Sequence, residues 1–275
     1  KVRRPDVPIV GDARYVIEEI IREIKTMLAA GTAQADTSAW KSKVSGWREQ
    51  FPMTYEQSEP GAALKPQYCI EELNRLATPH TIVASGVGQH QMYTSQFFEF
   101  NEPYTWVNSG GLGTMGFSIP AAIGAKAAKP ECDVWAVDGD GCFQMTAQEL
   151  VTATIEGLPI KVALLNNSYL GMVRQWQEMF YDERYSEVFL NSTVPDFVMW
   201  AESMGCVGIL VESPEEVGPA IEKANSISDR SVVIEFRTDA SEKVFPMVPA
   251  GFSNDDLILH PTQQDRADGL KETAS

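Results

Sequence analysis

Two apolar runs in this 275-residue sequence end in oxygen-bearing side chains. Val134 to Val137 runs into Asp138-Gly139-Asp140-Gly141, and Ile160 to Leu165 runs into Asn166-Asn167. Asp140 and Asn167 stand 27 residues apart (167 − 140), the length of a helix, a strand and their turns. In a parallel βαβ unit both strand ends lie on one edge of the sheet, the edge where open α/β sheets bind ligands. Magnesium takes hard oxygen ligands, a few from protein and the rest from phosphate and water. Asp140, Asn167 and a backbone carbonyl just beyond Asn167 would suffice. The glycines beside Asp140 let the backbone come close to a phosphate. The expectation is that Asp140 and Asn167 hold a metal, and that the metal holds a diphosphate. Alternatively, DGDG is only a tight turn and the asparagines only cap the next helix. That both ends of one βαβ unit carry such groups favours the metal. A calcium loop fits less well: Asp138, Asp140 and Glu149 occupy EF-hand positions one, three and twelve, but position six is Phe143, where glycine is needed.

Three further stretches belong to the same question. Ser85-Gly86-Val87-Gly88-Gln89-His90 follows another strand-like run, with small residues for close approach and Gln89 and His90 as hydrogen-bonding groups. Gly111 to Gly116 matches GxGxxG, but the strand before it is short and interrupted by Asn108-Ser109-Gly110. The acidic residue that a dinucleotide site would need, Asp138, belongs to the metal turn, so close helix packing is the better account. After Asn167, a helical stretch presents Met172, Val173, Gln175 and Trp176. Such a stripe either packs a core or walls a small-substrate pocket.

The elements needed to position these groups are legible. Helical patterns cover Pro66 to Leu76, Met92 to Phe98, Met115 to Ala128, Thr146 to Glu156, Leu170 to Met179, Pro195 to Met204 and Pro214 to Ala224. Strand-like runs cover Thr81 to Ser85, Tyr104 to Val107, Val134 to Val137, Ile160 to Leu165, Val207 to Val211 and Val232 to Phe236. Alternation of this kind predicts an α/β fold, a parallel sheet covered by helices on both faces, and the strands are apolar enough to be buried on both sides. Ahead of it, residues 8–13 read as a strand end and turn, and Tyr15 to Leu28 as an amphipathic helix stopped by Gly31. One strand and one helix cannot bury their own faces, so residues 1–31 read as the remnant of a preceding domain. An appendage packed on the main domain is the alternative. Residues 32–65 read as a connector, with a helix from Trp40 to Phe51 and a loop from Gln57 to Pro66. The main domain is expected over 66–245 and a Pro-rich, then polar, surface tail over 246–275.

Bulk composition narrows the class. The net charge of −16 argues against sequence-independent nucleic-acid binding, which needs Lys and Arg to neutralise phosphates. No apolar run reaches the ~18–20 residues needed to span a bilayer. The basic opening KVRRPDVPIV lacks a signal-peptide core. Cys69, Cys132, Cys142 and Cys206 form no CxxC pair and read as reduced thiols of a cytoplasmic protein.

Taken together, GDG followed at this interval by NN resembles the diphosphate-binding domain of thiamine diphosphate enzymes. SGVGQHQM, NSGGLGTMGFSIPAAIGA and NNSYLGMVRQWQEMFYDERYS resemble the acetolactate synthase (acetohydroxyacid synthase) family's catalytic subunits, and the likeness runs from about Lys65 to Pro249. The opening helix resembles the end of that family's Rossmann-like, FAD-associated central domain. The resemblance implies a thiamine diphosphate-binding fold and a transferase of branched-chain amino-acid synthesis that decarboxylates pyruvate and joins the product to pyruvate or 2-ketobutyrate.

It also implies roles. Asp140, Asn167 and the carbonyl of Tyr169 would ligate Mg²⁺. Gln89 and His90 would hydrogen-bond the diphosphate, helped by the backbone of Gly141 and Cys142. Gly113, Thr114 and Met115 would hold the aminopyrimidine side, with Met115 as the wedge that bends the cofactor. Asn167, Ser168, Tyr169, Leu170, Gly171 and Met172 would line the cofactor. Met172, Val173 and Trp176 would wall the substrate pocket, with Trp176 favouring 2-ketobutyrate. Many relatives carry acidic or amide residues where this chain has Ser168 and Tyr169, but that metal ligand is a carbonyl, which any residue supplies. The family's catalytic glutamate lies in an N-terminal domain to which nothing here corresponds. The expectation is therefore that this chain contains no catalytic residue of its own, binds cofactor weakly and does not turn over alone. A homodimer or tetramer and a small regulatory subunit are the implied partners. The alternatives are another thiamine diphosphate-dependent 2-ketoacid decarboxylase, oxidase or glyoxylate carboligase, or a non-catalytic cofactor-binding fragment.

Overall fold

A computed structural model of the chain describes residues 4–32, 36–56, 61–190 and 195–261. It divides into two compact units, Lys1–Pro52 and Met53–Ser275. The division falls inside the stretch expected to be a connector. Of the predicted loop from Gln57 to Pro66, residues 57–60 lie outside the described residues, as do 262–275 of the predicted tail.

In the first unit, α1 (Ala13–Ala29) is capped by the Asp12 side chain, which accepts from the N–H groups of Arg14 and Tyr15. Gly31, at φ +68°, ends it: the Gly31 N–H reaches the Leu28 carbonyl, and that of Thr32 reaches Met27. Among the described residues no strand precedes it. Residues 8–12 have no ladder partner among the described residues, and without one an apolar run stays irregular. α2 (Ser38–Gln50) sets Trp40 edge-on to Trp47 with Lys43 against both rings.

The second unit is built on six parallel strands. In chain order its elements are α3 (Pro66–Leu76), β1 (Ile82–Ser85), α4 (Gln89–Phe97), β2 (Trp106–Asn108), α5 (Ser118–Ala128), β3 (Val134–Gly139), α6 (Asp140–Thr146), α7 (Glu149–Ile155), β4 (Lys161–Asn166), α8 (Gly171–Phe180), α9 (Phe197–Ser203), β5 (Val207–Val211), α10 (Pro214–Ser226) and β6 (Val232–Arg237). The strand order is β2-β1-β3-β4-β6-β5. Alternate residues of the central strands β3 and β4 feed two cores, as a period of two requires. Trp135, Val137, Ala163 and Leu165 pack with Ile70, Leu73, Tyr93 and Ile221 from α3, α4 and α10. Ala136, Val162 and Leu164 pack on the other face with Ile119, Leu150 and Phe197 from α5, α7 and α9. The α/β sheet with helices on both faces is thus as expected. No helix of the described residues is long and apolar enough to cross a membrane.

Three boundaries differ from the sequence pattern, all at the ligand edge. α4 begins at Gln89 rather than Met92, because Gly88 ends the preceding turn at φ +154° and frees the chain to coil at once. α5 begins at Ser118, since Gly116 at φ +79° keeps Met115 in a loop. The helix expected over Thr146 to Glu156 is α7, which starts at Glu149, and an unforeseen helix, α6, precedes it, so DGDG is no free turn: Gly139 closes β3 and Asp140 opens α6. Apolar periodicity sees none of this, because the residues concerned are polar or glycine. Beyond β6, residues 238–247 run back along the site edge with Val244 and Met247 buried, and Met247 bridges to Ile258.

Candidate functional site

β1 leads outward to β2 while β3 leads the other way to β4, so the chain reverses direction between β1 and β3. Open α/β sheets form their binding crevice at such a switch point. A cleft of about 190 Å³ lies there. α4 and α8 start at its wall, and their first N–H groups have no partner within the helix, which suits an anion.

Most of the predicted site residues converge on this cleft. Gln89, His90, Gly113 and Met115 line it from one side; Asp140, Gly141 and Cys142 from the end of β3. Asn167, Tyr169, Leu170, Gly171, Met172 and Val173 line it from the end of β4 and the start of α8. Three do not. Thr114 is exposed, with its N–H turned to the Ser109 hydroxyl. Ser168 adopts φ +62°, which carries its side chain to the far side of the turn. Trp176 sits one helical turn beyond the cleft and lines a separate apolar cavity of about 480 Å³ with Met92, Phe180 and Met247. Residues not singled out from sequence also line the cleft: Pro66, Tyr93, Leu165 and Thr238. Thr238 follows β6 at the same edge, so the strand-end rule used for Asp140 would have found it; Pro66 and Tyr93 carry no local signal.

Asp140 is 2 % exposed, and its Oδ2 has no hydrogen-bond partner. Burial raises its carboxyl to about 7, although the N–H groups of Gly141 and Ser168 favour the ion. A buried, half-unpaired carboxylate is costly in a folded chain, and a divalent cation is the partner that would satisfy it. Asn167, just past the end of the neighbouring strand β4, lines the same cleft, its Oδ1 accepting the Tyr169 N–H at 3.1 Å and its Nδ2 donating to Gln89 Oε1 at 3.3 Å. Gln89 in turn spends both amide hydrogens, on Gln175 Oε1 at 2.8 Å and on the Glu242 carbonyl at 3.0 Å. With both committed, this side chain orients Asn167, and what it has to offer a phosphate is its backbone N–H on the first turn of α4. A side chain at Gly171 would displace both amides: a Cβ would lie 2.1 Å from Gln89 Oε1 and 2.7 Å from Asn167 Nδ2.

Behind this lies a second buried group. Asp138 accepts from Ser118 Oγ at 2.6 Å and from the Gly139 N–H at 3.2 Å, and burial raises it to about 7. Its Oδ1 is 3.6 Å from His90 Nε2, too far for a hydrogen bond. Burial drives the His90 imidazole down to about 3, so the ring is neutral. Cys142, raised to about 12 by burial and then by the Asp138 charge, is a thiol bonded to the Val87 carbonyl at 3.1 Å. Ligand atoms of His90, Asp138 and Cys142 lie within 4.8 Å of one another. The Gly86 backbone is packed among them, a Cβ there falling 2.1 Å from Asp138 Oδ1 and 2.8 Å from His90 Nε2. Of the two aspartates, Asp140 lines the cleft and holds the oxygen without a partner, and Asp138 does not.

Residues 86–236 match the family described as thiamine pyrophosphate enzyme, C-terminal TPP binding domain, which takes in every strand from β2 to β6 except the last residue. The chain belongs to the thiamine pyrophosphate enzyme family. The likeness to acetolactate synthase expected from the motifs extends over most of the sequence. The chain is 52% identical to the acetolactate synthase large subunit of Corynebacterium glutamicum over 260 residues, covering 94% of this chain and 41% of that protein. It is 49% identical to the acetolactate synthase of Mycobacterium leprae over 276 residues, 98% of this chain and 44% of the relative. It is 42% identical to the acetolactate synthase isozyme 3 large subunit of Escherichia coli over 261 residues, 94% and 45% respectively. The chain thus spans less than half the length of these relatives.

Proposed function

We propose that this chain supplies the cofactor-anchoring part of an acetolactate synthase, a transferase that decarboxylates pyruvate and ligates the product to pyruvate or 2-ketobutyrate. The observation that carries the reading is the buried, unpartnered Asp140 Oδ2 in a cleft that Asn167 also lines from the adjoining strand end. Asp140, the Asn167 amide oxygen and the Tyr169 carbonyl would hold Mg²⁺, which binds phosphate oxygens and water besides protein oxygens. The N–H groups opening α4 and α8 take the other phosphate oxygens. His90, neutral and buried, donates from one ring nitrogen to the diphosphate. Met115 would press on the middle of the cofactor, and Gly113 would offer its carbonyl to the aminopyrimidine. Leu170, Met172 and Val173 keep the reacting end dry. Bound there, thiamine pyrophosphate supplies an electron sink for breaking one carbon–carbon bond and making another. Trp176 acts from the adjoining cavity and biases the choice of second substrate.

For the whole enzyme we propose FAD, association of two or four catalytic subunits, a small regulatory subunit and a cytoplasmic location. The domain reading of residues 1–31 as the end of a central domain belongs to the same proposal.

Calorimetric titration of the chain with thiamine pyrophosphate tests the site. Binding should require Mg²⁺, disappear with EDTA and be lost in Asp140→Ala; equal binding by that variant would reject the assignment. Product analysis with mixed pyruvate and 2-ketobutyrate on the complete enzyme tests the reaction. A product set lacking both acetolactate and 2-aceto-2-hydroxybutyrate would reject it.

A further inference from the structure

Glu235 is out of place by composition. It lies in the middle of β6, 3 % exposed, opposite Leu164 of β4 and Leu210 of β5. A carboxylate in such surroundings is unfavourable unless hydrogen bonds hold it there. Its Oε1 accepts from Asn166 Nδ2 at 2.8 Å and, more weakly, from Arg237 Nε at 3.4 Å. Asn166 is the first asparagine of the NN pair and has no place on the cleft wall. Its other amide atom, Oδ1, accepts the Ser168 N–H at 3.0 Å. Ser168 carries φ +62°, a left-handed conformation that a residue with a Cβ resists, so something must hold it. The turn is further closed by Leu190 N–H on the Ser168 carbonyl at 2.9 Å and by Leu170 N–H on the Val188 carbonyl at 2.8 Å. This turn sets the direction of both the Asn167 amide and the Tyr169 carbonyl.

An asparagine amide can present either end. Turned the wrong way, Asn166 would point NH₂ at the Ser168 N–H, donor against donor. Glu235 Oε1 already accepts from Arg237 Nε, a group that can only donate, so it serves as an acceptor; Asn166 meets it with its NH₂ end and leaves its oxygen for Ser168. We infer that Glu235 is a positioning residue for the metal-holding turn: it selects the orientation of the Asn166 amide, which locks Ser168 in its left-handed conformation and aims Asn167 and Tyr169. The inference rests on the metal assignment proposed above. No contact between Glu235 and the metal is invoked, and the strand sequence alone gives no reason to look for one.

The test separates the two. Amide hydrogen exchange of peptides covering 166–172 reads the turn without any ligand. Titration with thiamine pyrophosphate and Mg²⁺ reads the site. Glu235→Met, close in shape and without an acceptor, should speed exchange in these peptides about tenfold and weaken Mg²⁺-dependent binding at least tenfold, with the unfolding midpoint near that of the parent. Glu235→Gln, which can still accept from Asn166, should keep both within about threefold. Asn166→Ala removes the link from its other end and should repeat the Met result, which keeps the test decisive if Glu235→Met folds poorly. Slow exchange at 166–172 in both Glu235→Met and Asn166→Ala would overturn the inference. So would unchanged cofactor affinity in variants whose turn has loosened. Failure of the parent chain to bind cofactor would reject the metal assignment, while the exchange measurement would still decide what Glu235 does.

Discussion

The two edges of the sheet in the second unit treat buried charge in opposite ways. At the edge where strands begin, Lys161 is 7 % exposed, yet its ammonium reaches Asp133 Oδ1 at 2.6 Å and Asn225 Oδ1 at 3.2 Å and lies 5.9 Å from the Trp135 ring. Asp133 Oδ2 takes a further bond from Thr78, and Asn225 spends its NH₂ on the Leu76 carbonyl. All of these groups find protein partners. At the edge where strands end, Asp140 Oδ2 and His90 Nε2 are buried with none, and burial holds Asp140 at about 7 and His90 at about 3. The first edge ties helices to the sheet. The second withholds partners from groups that a ligand can complete. Desolvated polar atoms without partners cost stability, so their concentration at one edge marks where folding has been compromised for binding.

The sharpest way to break this contrast is Asp140→Ala. Mg²⁺-dependent thiamine pyrophosphate affinity should fall at least 100-fold, about 2.7 kcal/mol, while the urea midpoint of the ligand-free chain stays level or rises. A lower midpoint would mean that Asp140 holds the fold together like Asp133. The mirror experiment is Lys161→Met. Unfolding free energy should drop by about 2 kcal/mol, less than the ~3–5 kcal/mol of a fully buried pair because Asp133 keeps 36% of its side-chain surface in water. Cofactor affinity should stay within about threefold, as measured by the same titration. Gly171→Ala should come next: its Cβ collides with Gln89 and Asn167, and affinity should fall about tenfold, about 1.4 kcal/mol, with a smaller loss of stability. The smallest effect sharpens the rule. Asp138 is at the ligand edge but is paired with Ser118, so Ser118→Ala should cost about 1 kcal/mol in urea unfolding and leave affinity nearly unchanged. If it instead abolished binding, position on the edge rather than pairing would be the deciding property.

Much of this was legible in the residues. The apolar runs located the strands because parallel strands are buried on both faces, and the oxygen-bearing residues after two of them named Asp140 and Asn167. The cleft-lining stretch from Val87 to His90 could be read the same way. The starts of α4 and α6 could not, since helices that open on glycine and polar residues have no apolar period to announce them. Thr114, Ser168 and Trp176 could be placed near the site by their neighbours in sequence, but a left-handed turn at Ser168 and one extra helical turn before Trp176 direct them elsewhere.

The order of residues by itself determined the α/β class and which groups sit at strand ends, because both follow from local period and from the rule that parallel strands end on one edge. Only the tertiary structure decided which buried groups are paired. Asp133 and Asp140 are the same residue type, seven positions apart (140 − 133), at opposite ends of β3. What separates the anchor from the proposed metal ligand is whether a distant segment brings a cation to it, and Lys161 lies 28 residues from Asp133 in the chain (161 − 133) and 2.6 Å away in the fold.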